Sequence, residues 1–282
     1  MIMSNNWYED LNEYIKLGEP KLEEKTVAWQ TAIGLQAVDG LTTSGYLLET
    51  AKENIEGKIT IKEANARISN YYKERSDRHA IETGTKEADI VAGRITALLA
   101  EKDFSFTPAA WMSIHRYLFK DVFMHAGKIR TYNIYKNEWV LNGKSVFYAS
   151  YDSIPMTMEY DFKPEAAFSY KNLSRDDISR HLAQFTCDIW QIHPFGEGNT
   201  RSTAVFIIKY LSSLGYSISQ ECFAKKSWYF RNALVRANYN DLPNDIHATT
   251  LYLERFFENL LFGGNNELKN RYLHIAWQDN QK

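Results

Sequence analysis

Nine residues between two apolar segments combine the side-chain types that a transfer reaction on phosphate needs. The stretch from His193 to Arg201 reads HPFGEGNTR. His193 is the one group in it that takes a proton near neutral pH. Glu197 would repel a bare phosphate, so its presence indicates a bridging Mg²⁺, and Arg201 supplies a forked cation for phosphate oxygens. A base, a metal ligand and a phosphate clamp are together typical of phosphoryl or nucleotidyl transfer.

The flanking patterns predict that two helices position this stretch. Before it, apolar residues recur at the spacing of one helix face: Ile178, Leu182, Phe185, Ile189 and Ile192. After it, residues 202–216 are apolar enough for a largely buried helix. Gly196 and Gly198 permit close approach of a ligand to the backbone. A second helix that begins near Asn199 turns its free N–H groups and positive dipole end toward the loop, which predicts an anion site.

Each of these residues also has an ordinary structural interpretation. His193 is then a buried, hydrogen-bonded histidine, and Glu197 forms an i,i+4 surface pair with Arg201. A plain helix cap needs one or two polar residues, however, and not the whole set. We therefore favour the functional interpretation for the set.

The stretch resembles the signature of the Fic (Fido) family, H-x-F-x-[DE]-G-N-[GK]-R-x-x-R. Residues 114–130, IHRYLFKDVFMHAGKIR, resemble the family's preceding helix and turn, which usually ends A-G-x-x-R. Most members of the family move AMP from Mg-ATP to a hydroxyl group of a target protein. The resemblance implies a mostly α-helical Fido fold with a β-hairpin flap. It also implies a helical N-terminal region at residues 1–75, a candidate for regulation, before a catalytic core at residues 76–282.

The resemblance implies a role for each residue of the loop. His193, Asn199 and Arg201 form the catalytic set: a base for the target Ser, Thr or Tyr, a ligand of the α-phosphate together with loop N–H groups, and a clamp on the leaving diphosphate. Glu197 holds Mg²⁺, and Phe195 anchors the loop in the core. The full set expected to bind Mg-ATP is Phe195, Gly196, Glu197, Gly198, Asn199, Thr200, Arg201, Tyr229 and Asn238.

Tyr229 and Asn238 have two interpretations, because they lie on a predicted helix within residues 227–243. Similar positions in the family line the adenine pocket, where the tyrosine stacks and the asparagine bonds the base. The alternative is a partly buried aromatic residue and an asparagine at a helix end. The sequence leaves both open.

Two positions depart from the family signature. Thr200 stands where glycine is usual, with a modest expected effect on the backbone. Ala204 replaces the second arginine, which in the family holds the γ-phosphate. The resemblance therefore leaves open how tightly this chain binds the triphosphate of ATP.

The N-terminal region carries a second resemblance. Many family members hold an inhibitory helix with [ST]-x-x-x-E-[GN], and residues 32–41 resemble it, with Leu35 and Asp39 at the Ser/Thr and Glu positions before Gly40. The expected partner of the acidic residue is Ala204, so both ends of that ion pair are altered. Inhibition through Asp39 and Gly40, and an ordinary helix end at Gly40, are equal alternatives.

Residues 132–150 carry the one clear β signal, since aromatic and β-branched runs flank Asn142-Gly143. A lone hairpin must lean on the helical body. It is either a surface excursion or a flap whose edge pairs with an extended segment of the target. The resemblance favours a target-docking flap that includes Val146, Phe147 and Tyr148.

The remaining patterns are mostly helical. Helical patterns cover residues 7–17, 22–39, 84–101 and 107–123, and residues 42–60 read as a capped helix that ends at Gly57. Thr60 and Glu63 match a capping box. No repeat, low-complexity tract or Pro/Gly linker interrupts the chain, which favours one compact unit.

Composition narrows the classes of protein and partner. The chain has 282 residues, 44% of them hydrophobic, and a net charge of −2, so it has no bulk attraction for nucleic acid or an anionic membrane. No apolar run is long enough to span a bilayer. Two cysteines form no disulfide framework, and a reduced cytoplasm is the expected compartment. Six histidines besides His193 show no metal-ligand spacing.

We therefore expect a protein adenylyltransferase that uses ATP and Mg²⁺, whose partners are a nucleotide and a hydroxyl-bearing protein. Whether it forms a homodimer stays open. The alternatives are another nucleotide or phosphoryl transfer, phosphocholine transfer, or removal of AMP on the same fold. A catalytically weak nucleotide-binding regulatory module is a further alternative, because Ala204 replaces an arginine.

Overall fold

The computed structural model describes residues 6–16, 18–74 and 80–279. These residues are mostly helical, as predicted, and the chain divides into two compact units. The first comprises Met1–Asp103 with Phe223–Ser227, and the second comprises Phe104–Cys222 with Trp228–Lys282. This division differs from the expected single unit and from the expected boundary after residue 75. Its physical reason is the helix that ends at Ala100, which packs against two helices of the first unit.

The helices of the first unit are α1 (Trp7–Lys16), α2 (Pro20–Gly34), α3 (Gly45–Ile55), α4 (Ile61–Lys73) and α5 (Ala80–Ala100). Helix α5 packs against α2 and α4. The predicted capping box is confirmed, since Thr60 and Glu63 bond each other's backbone at the start of α4. Trp29 is fully buried and donates from Nε1 to Asn54 Oδ1 at 3.0 Å, which ties α2 to α3.

The second unit contains α6 (Pro108–Phe119), α7 (Ile154–Ala167), α8 (Arg175–Ile192), α9 (Asn199–Ser213), most of α10 (Gln220–Ala237), α11 (Leu251–Phe262) and α12 (Ile275–Asp279). Helix α8 packs on α7, α9 and α11, and α6 packs on α9. Helix α9 is buried from Asn199 to Leu211. This burial agrees with the apolar pattern that follows residues 193–201 and fixes the start of α9 in the core.

Helix α7 is not predicted by the sequence patterns, because two prolines punctuate it. Pro155 lies in the first turn, where a missing N–H costs no helical hydrogen bond. Pro164 lies near the end of the helix. Met158 and Phe162 are buried one turn apart and give the helix its apolar contact.

The predicted hairpin is not formed as a strand ladder within the described residues 132–150. The turn itself is present, since Asn142 and Gly143 have φ of 54° and 82° and Glu138 N–H donates to Lys144 O at 3.0 Å. The pairing stops there, because Lys136 N–H donates to the hydroxyl of Ser145 instead of to a backbone carbonyl. A 3₁₀ turn at Trp139–Leu141 also interrupts the extended backbone. We call residues 132–150 the flap loop.

Hydropathy along the described helices gives no membrane span, since none of them is both long enough and apolar enough to cross a bilayer.

Candidate active site

His193 lies where α8 ends, in a backbone conformation that non-glycine residues seldom adopt. Its φ and ψ are 48° and 57°, and its N–H donates to Trp190 O at 3.1 Å. The ring nitrogen Nδ1 lies 3.0 Å from the same carbonyl. A carbonyl oxygen accepts and does not donate, so Nδ1 carries the proton and Nε2 holds the lone pair. This tautomer is the one that accepts a proton at Nε2.

Burial keeps His193 neutral. The residue is 2% exposed, and this burial holds the pKa of His193 well below its ordinary value, helped by the positive charges of Lys136, Arg231 and Arg130. The Trp190 carbonyl acts in the opposite direction, since it favours the protonated ring. At neutral pH the imidazole is therefore available as a base.

Residues 193–201, which we call the His193 loop, are anchored in the core by Phe195. This ring is fully buried and stacks on His115, with centroids 3.7 Å apart. Asn199 brackets the same residue, because its Oδ1 accepts from Phe195 N–H at 3.0 Å and its Nδ2 donates to Phe195 O at 2.8 Å. Both amide atoms therefore bond the loop itself, and the predicted contact of Asn199 with an α-phosphate stays a prediction. Asn199 holds the loop closed.

His115 supports the loop from α6. Gly127 N–H donates to its Nδ1 at 2.9 Å, so the ring proton lies on Nε2, which donates to the backbone carbonyl of Glu197 at 2.9 Å. Burial lowers the pKa of His115 to about 4, so the ring is neutral at pH 7. The sequence gives no sign of this link, because 82 residues separate the two partners.

The two loop glycines are places of close contact. Gly198 caps α9 with a φ of 77° and offers no side chain to its first-turn amides. A Cβ there would collide with the ring of Phe119, and a Cβ at Gly196 would lie 2.8 Å from Tyr132 Oη. The start of α9 therefore keeps the features of an anion site. Arg201, in the first turn, is almost fully buried, with its guanidinium carbon 4.8 Å from the centroid of the Phe119 ring.

The two departures from the family signature are both buried. Thr200 accepts a hydrogen bond from Trp190 Nε1 at 3.0 Å, so its hydroxyl ties α9 to α8 and faces away from solvent. Ala204 is fully buried in α9. The methyl group of an alanine gives this position no means of binding a phosphate.

Glu197 is the carboxylate that the His193 loop offers to a metal ion. Its side chain is 55% exposed, and its Oε2 lies 3.0 Å from Lys136 Nζ in the flap loop. Among the residues that the structure describes, no group of three or more His, Cys, Asp or Glu side chains is placed to hold a metal. Mg²⁺ is commonly bound by one or two carboxylates together with substrate phosphates. The donor set therefore fits a magnesium ion that arrives with a nucleotide.

Arg130 is committed to backbone carbonyls. Its Nε donates to His193 O at 2.8 Å and its Nη1 donates to Tyr132 O at 2.6 Å. Its Nη2 donates to Ala149 O and, at 3.4 Å, to Ile192 O. The guanidinium thus joins the end of α8 to the flap loop, a structural role that commits four of its five N–H donors.

The predicted docking residues of the flap loop differ in exposure. Val146 is buried, whereas Phe147 is 85% exposed. Tyr148 covers His193, with ring centroids 4.1 Å apart. Gln191, in α8, holds this segment through two hydrogen bonds. Its side-chain Nε2 donates to Phe147 O at 2.9 Å, and its backbone carbonyl accepts from Ala149 N–H at 3.3 Å. The exposed ring of Phe147 is what this segment presents to solvent.

A buried ion pair anchors the flap loop to α10. Glu138 is fully buried and accepts from Arg231 Nη1 and Nη2 at 2.6 and 3.1 Å. The hydroxyl of Tyr148 lies 3.3 Å from Glu138 Oε1. The sequence patterns do not predict this ion pair. The one feature of the sequence that points to it is a carboxylate directly before the apolar run Trp139–Leu141.

Tyr229 and Asn238 make structural contacts in this structure, and their place in an adenine pocket stays a prediction. Tyr229 is 1% exposed, and its hydroxyl donates to Tyr252 O at 3.2 Å. A ring buried in this way cannot stack on a purine without leaving the core. Asn238 ends α10, and its Nδ2 donates to Leu234 O at 3.0 Å and Cys187 O at 3.3 Å. The alternative interpretation from the sequence agrees with both positions.

Asp39 and Gly40 lie in the first unit. Asp39 is the exposed last residue of the 3₁₀ segment Leu35–Asp39. Gly40 ends that segment with a φ of 70°, as a helix-terminating glycine does. Inhibition by this segment stays a prediction.

Comparisons with known proteins find a family match that includes the His193 loop. The model of the Fic/DOC family matches residues 105–211, which include α6 and the His193 loop. The chain is 25% identical over 136 residues to the "Probable protein adenylyltransferase Fic" of Salmonella typhimurium, a match that covers 48% of this chain and 62% of the relative. It is 27% identical over 150 residues to the "Probable protein adenylyltransferase y4lH" of Sinorhizobium fredii, covering 53% and 73%.

A solved structure extends the likeness to the fold. The crystal structure of a Fic family protein from Desulfovibrio desulfuricans G20 superposes with a TM-score of 0.53 at 14% identity, covering all of this chain and 77% of that one. At this identity the likeness concerns the fold alone. The Fic/DOC family match thus covers residues 105–211, and this part of the chain, which holds α6 and the His193 loop, is similar to that family and to the two named relatives.

Proposed function

We propose that the chain transfers AMP from ATP to a side-chain hydroxyl group of a target protein. The observation that carries this proposal is the placement of His193. A neutral imidazole, with its proton fixed on Nδ1 by Trp190 O, lies six residues before the uncapped start of α9. A base next to an anion site is what activation of a hydroxyl group toward a phosphate requires. The names of the Salmonella and Sinorhizobium relatives support the same activity.

The reaction assigns one task to each end of the loop. His193 Nε2 takes the proton of the target hydroxyl, and the oxygen forms a bond to the α-phosphorus of ATP. The bond from that phosphorus to the oxygen bridging to the β-phosphate breaks, and diphosphate leaves. Amides at the start of α9 stabilise the charge on the α-phosphate, and the buried guanidinium of Arg201 stabilises the charge that develops on diphosphate.

Glu197 would hold a magnesium ion in this reaction. A bound Mg²⁺ neutralises the charge of the phosphates. The residues of the chain do the remaining work: His115 fixes the Glu197 backbone, and Asn199 and Phe195 fix the loop around it. These contacts keep the base and the anion site in one geometry before substrate arrives.

Recognition of the target is assigned to the flap loop. Phe147 presents an exposed apolar ring beside the segment that covers His193. An apolar side chain of the target that packs on Phe147 would bring a neighbouring hydroxyl group toward the base. Tyr148 must move for that hydroxyl to reach His193, because its ring lies over the imidazole.

Labelled ATP tests the proposal. Protein lysates are incubated with the chain and with ATP labelled at either the α- or the γ-phosphate, and labelled proteins are identified by mass spectrometry. Transfer of the α-label alone is the expected result. Transfer of the γ-label would instead show phosphoryl transfer and would contradict the proposal.

Ala204 favours one second candidate, a nucleotide-binding regulatory module without transfer activity. Its full burial leaves the position of the usual second arginine without a cation. Nucleotide binding without transfer of either label would favour this candidate.

A further inference from the structure

Lys136 is a cation whose side chain pairs with Glu197 of the His193 loop in a partly exposed ion pair. Its Nζ lies 3.0 Å from Glu197 Oε2, in an ion pair whose two side chains are 24% and 55% exposed. Its backbone is fixed, because its N–H donates to Ser145 Oγ at 3.1 Å. A lysine stem has four flexible carbons, so the ammonium group can move while the residue stays in place.

The other cations near the base are held elsewhere. Three cations lower the pKa of His193, and Lys136 has the largest effect, before Arg231 and Arg130. Arg231 is paired with buried Glu138, and Arg130 donates to four backbone carbonyls. Withdrawing either guanidinium would leave buried polar groups without partners, which is costly. Releasing Lys136 costs little, because exposed ion pairs contribute little to stability.

We propose that Lys136 leaves Glu197 when a nucleotide binds and contacts the phosphates beyond the α-phosphate, supplying a cation that Ala204 does not. This inference rests on the proposed nucleotide-binding function. The exchange would be chemically matched: Glu197 would hold a magnesium ion that arrives with the nucleotide, and the released ammonium of Lys136 would pair with phosphate oxygens. Glu197 and Lys136 each then keep an oppositely charged partner.

Calorimetric titration with AMP, ADP and ATP tests this role without depending on transfer. AMP has no β- or γ-phosphate, so it serves as the internal reference. Lys136→Ala should weaken ATP and ADP binding about ten-fold or more, the size of a charge-assisted contact, and should leave AMP binding nearly unchanged. Lys136→Arg should restore most of the preference for ATP and ADP over AMP.

Lys144→Ala is the matched control. Lys144 lies in the same flap loop and forms its ion pair with Asp241 at 2.6 Å, away from Glu197. It should leave the affinities for all three nucleotides unchanged. A loss of ATP affinity equal to that of Lys136→Ala would attribute the effect to the general charge of the loop and would overturn the proposal.

A further experiment distinguishes two ways in which Lys136 could strengthen nucleotide binding, by contact with phosphate or by neutralising Glu197. Lys136→Ala is made in a protein that already carries Glu197→Gln. In Glu197→Gln, titrated with ADP in EDTA, Lys136 has no carboxylate to neutralise. If Lys136 contacts phosphate, Lys136→Ala should still weaken ADP binding in this background. If the loss occurs only when Glu197 is present, Lys136 is merely a counterion and the proposal is wrong.

The remaining outcomes are also decisive. An unchanged ratio of ATP to AMP affinity in Lys136→Ala, or a parent protein that binds no nucleotide, would overturn the proposal. A parent that binds ATP through Lys136 but labels no protein would support it and would contradict the proposed transfer function. The two failures are therefore distinguishable.

Discussion

The ring of Tyr148 lies over the imidazole of His193, with centroids 4.1 Å apart and planes inclined by 37°. The tyrosine hydroxyl points toward buried Glu138, at 3.3 Å from its Oε1. A flap-loop residue thus forms part of the enclosure that keeps the base away from water. Because burial is the main reason for the low pKa of His193, this enclosure sets the pH range in which the base works.

Replacing Tyr148 with alanine should raise the pKa of His193 toward its ordinary value of about 6.5. The sign follows from burial, which disfavours the charged ring, whereas Lys136, Arg231 and Arg130 keep lowering the pKa. In the parent, the imidazole should stay neutral as the pH falls through 6.5, and its acid titration should lie below that value. NMR titration of the His193 ring measures its pKa in the parent and in the Tyr148→Ala variant.

Tyr148→Phe is the control, since it keeps the ring and loses only the hydroxyl. It should titrate like the parent. A parent whose His193 titrates near 6.5, or an alanine variant identical to it, would contradict this account of the base.

Replacing Arg130 with methionine should destabilise the protein by more than about 2 kcal/mol, because each buried carbonyl left without a donor costs about 1–3 kcal/mol. ATP affinity should change little, since Arg130 uses four of its five N–H donors on backbone carbonyls. Denaturant unfolding and calorimetry measure the two effects. Arg180→Met, at an exposed i,i+3 pair with Asp177, should lie within about 0.5 kcal/mol of the parent. A large loss of ATP affinity in Arg130→Met, at unchanged stability, would reverse the assignment.

Phe147→Ser should raise the KM for a protein target about ten-fold or more, because burial of a phenylalanine ring contributes about 1.5–3 kcal/mol. ATP affinity should not change. Steady-state kinetics on a target found by α-labelling measures the effect. Tyr160→Ser, at an exposed aromatic residue of α7, is the matched control. Equal kinetics of the Phe147 variant and the parent would remove the flap loop from target recognition.

ADP and ATP should bind within roughly ten-fold of each other, because no arginine at position 204 is available for the γ-phosphate and a ten-fold ratio corresponds to about 1.4 kcal/mol. Asp39→Ala should alter transfer only modestly, since Ala204 offers Asp39 no ion pair to release. Calorimetry and initial rates test the two statements. A strong preference for ATP over ADP would show that a cation binds the γ-phosphate specifically, and sharp activation by Asp39→Ala would show that Asp39 restrains such a cation. Either result would contradict this prediction.

The sequence predicts those parts of the site that are local. The nine residues of the His193 loop, the helices around them and the capping box at Thr60 follow from short spacings and from turn and cap chemistry. Lys136 and Arg130 lie 61 and 63 residues from their partners Glu197 and His193. No periodicity connects residues so far apart, so the fold alone reveals these contacts.

The features that the sequence leaves open or does not predict have equally specific causes. Helical spacing places Tyr229 on a helix but does not say whether its face meets a nucleotide or the core. Asn142-Gly143 forms its turn as predicted, but the strands beyond it do not pair. The Ser145 hydroxyl accepts from a backbone N–H, and the side chain of Gln191 bonds the Phe147 carbonyl. The sequence does not predict α7, because Pro164 lies inside it and a proline within a helical pattern normally marks a helix end.

The most direct test of the central claim is the rate of AMP transfer by His193→Ala. Loss of a positioned base typically lowers the rate by about 10²–10⁴-fold, and ATP affinity should stay nearly unchanged because the imidazole does not hold the phosphates. Single-turnover transfer of the α-label to an identified target, with calorimetry of ATP binding alongside, measures both quantities. The account predicts a transfer rate reduced by at least about a hundred-fold at parental ATP affinity. A variant that modifies the target at the parental rate would contradict it.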